Sequence, residues 1–100
     1  MNNLLRPEMS ILQKGERFKV LRVTGTPNTQ MPLHYSTKEA VIQVEQGEAL
    51  LTMDSVIIKL QAGNCQIIPA RQPHSLFITK DFKAVVVMEI DSEIEFTHIN

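Results

Sequence analysis

The 100-residue sequence predicts an all-β protein, built as an antiparallel jelly-roll β-barrel. Three observations carry this. Apolar, β-branched runs of strand length recur at intervals of about 8–12 residues. Turn chemistry, such as Gln46-Gly47, Asp54-Ser55 and Gln61-Ala62-Gly63-Asn64, separates them. Nowhere do apolar residues recur with the 3.6-residue period of an amphipathic helix. Facing sheets or a closed barrel bury the apolar sides of such strands.

In chain order, Met1 to Ser10 carries scattered leucines and Arg6-Pro7 without a sustained period, so residues 1–12 read as an N-terminal arm or edge strand. Gln13-Lys14-Gly15-Glu16 is a turn, and a strand is expected over about 17–24. The glycine and two prolines between Gly25 and Pro32 mark a long loop that delivers His34. A strand then starts at Ala40, with Ala40, Ile42 and Val44 on one face and Val41, Gln43 and Glu45 on the other, and Gln46-Gly47 ends it. Ala49 to Met53, the turn Asp54-Ser55 and Val56 to Leu60 form a hairpin. Cys65 to Ile68 is a short apolar strand, after which Pro69 and Pro73 stiffen a loop presenting His74. A second hairpin is expected from Leu76–Thr79 and Ala84–Ile90 about a turn at Lys80-Asp81-Phe82-Lys83. Ile94 and Phe96, alternating with Glu93 and Glu95, make the last strand. No internal repeat or low-complexity segment is visible.

Composition bounds the partners. With 43% hydrophobic residues, the chain suits one domain over 1–100. Ten basic and eleven acidic residues are interspersed, which gives no footprint for nucleic acid or an anionic membrane. The single cysteine, Cys65, has no intrachain disulfide partner, and Met1 to Pro7 lacks the apolar core of a signal peptide. No apolar run approaches the ~20 residues of a membrane span. A soluble, cytoplasmic protein is expected.

The informative stretches are Leu33 to Glu48, in which His34 opens a β-rich run closing on Gly47-Glu48, and Gly63 to Leu76, which reads Gly-x5-Pro-x4-His through Gly63, Pro69 and His74. Together they resemble the two signature motifs of the cupin superfamily. The resemblance implies a cupin-like (RmlC-like) barrel in which three histidines and a glutamate bind a divalent metal. Aligned on Gly47, His34 takes the first histidine position, Ser36 the second and Ala40 that of the glutamate, while Arg71 stands where the second motif has glycine. Two ligands are therefore replaced by residues that do not bind metal well. His34 and His74 are the remaining candidate metal ligands, and a weakly bound divalent transition metal is the only cofactor expected, since such sites need about three protein ligands. Glu39 would reach the vacated position only through a one-residue slip or bulge. Ser36 is a better hydrogen-bond partner for a small polar molecule than a ligand. Cys65 reads as a small hydrophobe in an apolar strand, His98 as a packing or exposed residue, and Arg71 as a solvated cation. The methionines Met31, Met53 and Met88 read as apolar filling.

No catalytic residue is assigned, because the sequence has no glycine-rich phosphate loop, Cys-x2-Cys pair or serine elbow. His34, Ser36 and His74 are the expected ligand-binding residues, converging on one pocket. The preferred function is a small-molecule-binding protein, a sensor or carrier with an incomplete metal site. A metal-dependent oxygenase or isomerase with ligands outside the motif, and a dimeric structural or interaction module, are the alternatives. Bound metal would favour the enzyme, a polar pocket without metal the sensor or carrier, and a filled interior the module. A homodimer is expected through the terminal strands, where Ile11, Leu12, Ile94 and Phe96 are apolar, or through an outward sheet face bearing Val41 and Gln43.

Overall fold

A computed structural model describes residues 5–97. Eight antiparallel strands follow in order: β1 (Glu8–Lys14), β2 (Phe18–Gly25), β3 (Gln30–Ser36), β4 (Ala40–Met53), β5 (Val56–Gln61), β6 (Cys65–Ile68), β7 (His74–Glu89) and β8 (Ile94–Phe96). There is no helix among the described residues, and so none long and apolar enough to cross a membrane. His98 and residues 1–4 of the expected arm lie outside the described residues.

The long central strands β4 and β7 pair with each other from Ala40↔Met88 to Met53↔His74. Each has a different neighbour on its outer edge in each half. Near Ala40 and Met88 the flanking strands are β6 beside β4 and β2 beside β7, with β1 beyond β2. Near Met53 and His74 they are β5 beside β4 and β3 beside β7, with β8 beyond β3. The central pair bends between these halves, where the register shifts three times between Val44 and Ala49. One continuous sheet is thereby folded into two facing halves, the geometry that bulges impose.

Gly47 permits the bend. Its φ is +86°, and a Cβ there would lie 1.8 Å from the carbonyl oxygen of Asp81 on β7. Two expectations are corrected here. Gly47 does not end a strand, because the backbone keeps pairing through the bulge. Nor do Lys80 to Lys83 form a hairpin turn: Lys83 pairs with Thr24 and Phe82 with Gly25, so β7 continues, its charged side chains outward and Phe82 buried. A bulge and a turn share the same polar and glycine chemistry, so residue types alone do not separate them.

The Gly25–Pro32 loop is also shorter than expected. β2 includes Gly25 and β3 starts at Gln30, so His34 lies within a strand. Pro32 is tolerated in β3 because it falls in the register shift between Met31 and His34, where the ladder needs no N–H from it. Elsewhere the pattern holds. Ala40, Ile42 and Val44 are buried, Glu45 is exposed, and Asp54 and Ser55 both have positive φ, as a two-residue I′ hairpin turn requires. Residues 8–14 form an edge strand with every residue exposed.

The core lies between the halves and contains Val23, Ile42, Val44, Leu51, Leu60, Ile78 and Phe82. Contrary to expectation, Cys65 is exposed, because the inward residue of β6 is Ile68.

Candidate functional site

Directly opposed residues of an antiparallel ladder share a face, so the site can be read from register. In one half, Met53 of β4 opposes His74 of β7, His74 opposes His34 of β3, and His34 opposes Phe96 of β8. This row runs across the inner face. In the other half, Met88 pairs with Ala40, which pairs with Ile68, and Ile11 pairs with Leu21, which pairs with Val86. Between the two faces lies a cavity of about 50 Å³, whose only polar lining residues among those described are His34, Ser36 and His74. The structure thus brings the three expected site residues together. Ala40 lines the same cavity, and Glu39 is exposed because β4 pairs without a slip from Ala40 to Val44.

The imidazoles of His34 and His74 are 4.2 Å apart between ring centroids and inclined by 59°. Each is oriented by its own strand. Nδ1 of His34 is 2.6 Å from the carbonyl oxygen of Pro32, and Nδ1 of His74 is 2.9 Å from that of Gln72. A carbonyl oxygen only accepts, so Nδ1 is the protonated nitrogen in both rings, and Nε2 carries the free lone pair. Burial pushes both pKa values below the ordinary imidazole value. His34 falls to about 4, through desolvation first and then the positive charges of His74 and Arg6, against which the Pro32 bond acts. His74 is lowered by desolvation, opposed by its bond to Gln72. Both rings are neutral at physiological pH.

Among the described residues, neither Nε2 nor the Ser36 hydroxyl has a hydrogen-bond partner, and no buried side-chain nitrogen or oxygen is sealed away unpaired. These atoms therefore touch accessible space, although the three residues are 4–8% exposed. Ser36 is held by its backbone: its carbonyl accepts from the Arg71 N–H at 2.7 Å, tying the loop before His74 to β3. Arg71 is exposed with φ +61°, the left-handed conformation that accounts for glycine at this position of the motif.

The donor set does not fit the divalent metal that the motif implies. Among the described residues no three His, Cys, Asp or Glu side chains cluster to hold an ion. Two imidazoles fall short of the about three ligands such sites use. Cys65 and Glu39 are exposed, away from the cavity, and the thioethers of Met9, Met31 and Met88 that line it are soft donors, ill matched to nickel(II), iron(II) or manganese(II).

Sequence reasoning placed Met31 and Met88 in apolar space but missed the neighbours that the edge strands and Arg6 bring to the histidines. Phe96 lies 5.4 Å from the His34 ring, and the Arg6 guanidinium lies 4.6 Å from the Phe96 centroid. Met9 of β1 and Ile94 of β8, edge strands of opposite halves, both line the cavity. Only cross-strand register reveals these neighbours.

The sequence profile of the cupin-domain family matches residues 21–91. No curated protein sequence matches the chain. Among solved structures, an RmlC-like cupin protein from Desulfovibrio desulfuricans is 25% identical, covers 84% of this chain and 82% of its own, and superposes with a TM-score of 0.73. The polyketide cyclase RemF from Streptomyces resistomycificus is 18% identical over 99% of this chain and 78% of its own (TM-score 0.80). The DMSP lyase DddQ from Ruegeria pomeroyi is 19% identical over 92% of this chain, which spans about half (52%) of that protein (TM-score 0.83). At these last two identities the likeness is one of fold, and the varied activities leave this chain's chemistry to its own residues.

Proposed function

The chain belongs to the cupin-domain family, and we propose that it binds a small organic molecule between its two sheet halves at His34, Ser36 and His74, as a sensor or carrier without a resident metal. One observation carries this reading: three polar groups with unused hydrogen-bonding capacity converge on an otherwise apolar cavity. Convergent polar groups in an apolar pocket are the usual form of a small-molecule site. An interaction module would instead fill that position with apolar side chains, since an unpaired buried polar group costs stability. The volume, about 50 Å³, has room for a polar head and a few further atoms. The test is to purify untagged protein, denature it and identify released organic compounds by mass spectrometry. A compound recovered with the natural chain and lost from His34→Phe/His74→Phe supports the reading. No released compound, together with no binding from a library of small polar fragments, overturns it.

We also propose a two-fold homodimer. Met9 and Ile11, on the edge strand β1, pair with Val23 and Leu21 of the inner face, yet are 41% and 54% exposed in a single copy. Leu12 on β1 and Phe96 on β8 are exposed on the two edge strands, and Phe18 is exposed at the start of β2. A second copy covering these edges would bury apolar surface and an unpaired strand.

A further inference from the structure

We infer that the His34–His74 pocket selects an uncharged ligand whose polar head donates a hydrogen bond, an alcohol or a primary amide on a short apolar chain, rather than an anion or a metal ion. This deepens the small-molecule reading above and rests on it. The geometry carries the inference. Because both Nδ1 atoms are committed to the carbonyls of Pro32 and Gln72, the pair presents two acceptors, the Nε2 lone pairs, with rings 4.2 Å apart. Beside them, the Ser36 hydroxyl supplies one donor and further acceptor capacity. A ligand hydroxyl fits this set: its hydrogen goes to one Nε2 and its oxygen accepts from Ser36. A primary amide N–H₂ satisfies both imidazoles at once.

An anion is disfavoured. A carboxylate has no hydrogen to give either lone pair, and the cavity lining holds no lysine or arginine to pair with its charge. Arg6 does not supply the missing charge inside the cavity, since it is exposed and lies over the outer ring, Phe96. The remaining walls are aliphatic and thioether groups, suited to a hydrocarbon body. Leu21, Met88 and Ile94 line both the inner cavity and a groove of about 550 Å³ along β8, so the two share an apolar wall on the side where a hydrocarbon tail would emerge.

The test uses three probes of nearly the same shape on the natural chain: 1-pentanol, methyl butyl ether, which lacks the donor, and pentanoate. Binding is followed by the ¹⁵N shifts of the His34 and His74 ring nitrogens and by methyl shifts of the pocket methionines. Pentanol is expected to bind about tenfold more tightly than either other probe, the size of one net hydrogen bond. It should move an Nε2 resonance while leaving Nδ1 in place. In the shape-conserving His34→Phe/His74→Phe variant that advantage should disappear. Equal affinity for pentanol and the ether overturns the donor rule while leaving a small-molecule pocket. Tightest binding by pentanoate overturns it in favour of an anion site. No binding by any probe up to its solubility limit overturns both this inference and the reading beneath it.

Discussion

His34 and His74 oppose one another on adjacent strands, their rings 4.2 Å apart, each held by a backbone carbonyl two residues before it, Pro32 in one case and Gln72 in the other. The repeated i to i−2 bond fixes both tautomers without a second-layer side chain. It makes the pair neutral acceptors in a mostly apolar cavity, and several consequences can be measured.

Stability should fall on mild acidification. Both folded pKa values lie below the unfolded value of about 6.5, so the unfolded chain takes up protons first. The contribution is fully present above about pH 6.5 and is lost as the pH falls toward about 4, the value for His34. At ~1.4 kcal/mol per unit this amounts to ~3 kcal/mol for that residue. Urea unfolding across this range should show the decline, and His34→Phe should flatten it. Equal stability at both ends would contradict the burial argument. The carboxyls of Glu48 and Asp91 are held low by Thr79 and Lys38, so their losses come at lower pH.

The two motif glycines should tolerate alanine differently. Gly47→Ala meets the Asp81 backbone as well as a strained φ, and should cost ~3 kcal/mol or prevent folding. Gly63 has φ +92°, but a methyl group added there would meet nothing within 4 Å, so Gly63→Ala should cost only ~1 kcal/mol of backbone strain. Thermal unfolding of both variants checks the order.

Restoring the missing motif positions should create metal affinity. Ser36→His with Ala40→Glu adds two ligands to a cavity that already has two imidazoles. Calorimetry with nickel(II) or zinc(II) should then show near-stoichiometric binding, at least ~10-fold tighter than in the natural chain. No gain in a folded double variant would mean that the histidines cannot converge on an ion.

Association should depend on the β1 edge. Light scattering should report about twice the chain mass, and either Ile11→Lys/Leu12→Lys or deletion of residues 1–12 should weaken the dimer, because those side chains are 54% and 47% exposed in a single copy. A monomer at high concentration, unaffected by either change, would contradict the proposal.

Much of the fold was legible because strands announce themselves locally. The inward trio Ala40, Ile42 and Val44 and the turn at Asp54-Ser55 follow from alternation and turn chemistry alone. The neighbourhood of His34 and His74 was legible through motif spacing. What local pattern could not give was continuity and register. Lys80 to Lys83 has the composition of a turn, yet pairing on both sides carries β7 through it. The Met53–His74–His34–Phe96 row depends on strands far apart in sequence, and the cavity's small volume is the residue of many packing choices. Cys65 was misplaced because the inward phase of so short a strand is set by Ile68 pairing with Ala40.

That His34 and His74 act as bare imidazoles in an organic-binding pocket is tested most directly by elemental analysis of untagged protein, dialysed against a chelator and scanned for nickel, zinc, iron, manganese and copper. Well under half an equivalent of any metal is expected, since two nitrogen ligands hold divalent ions weakly; near-stoichiometric metal that survives the chelator would contradict it.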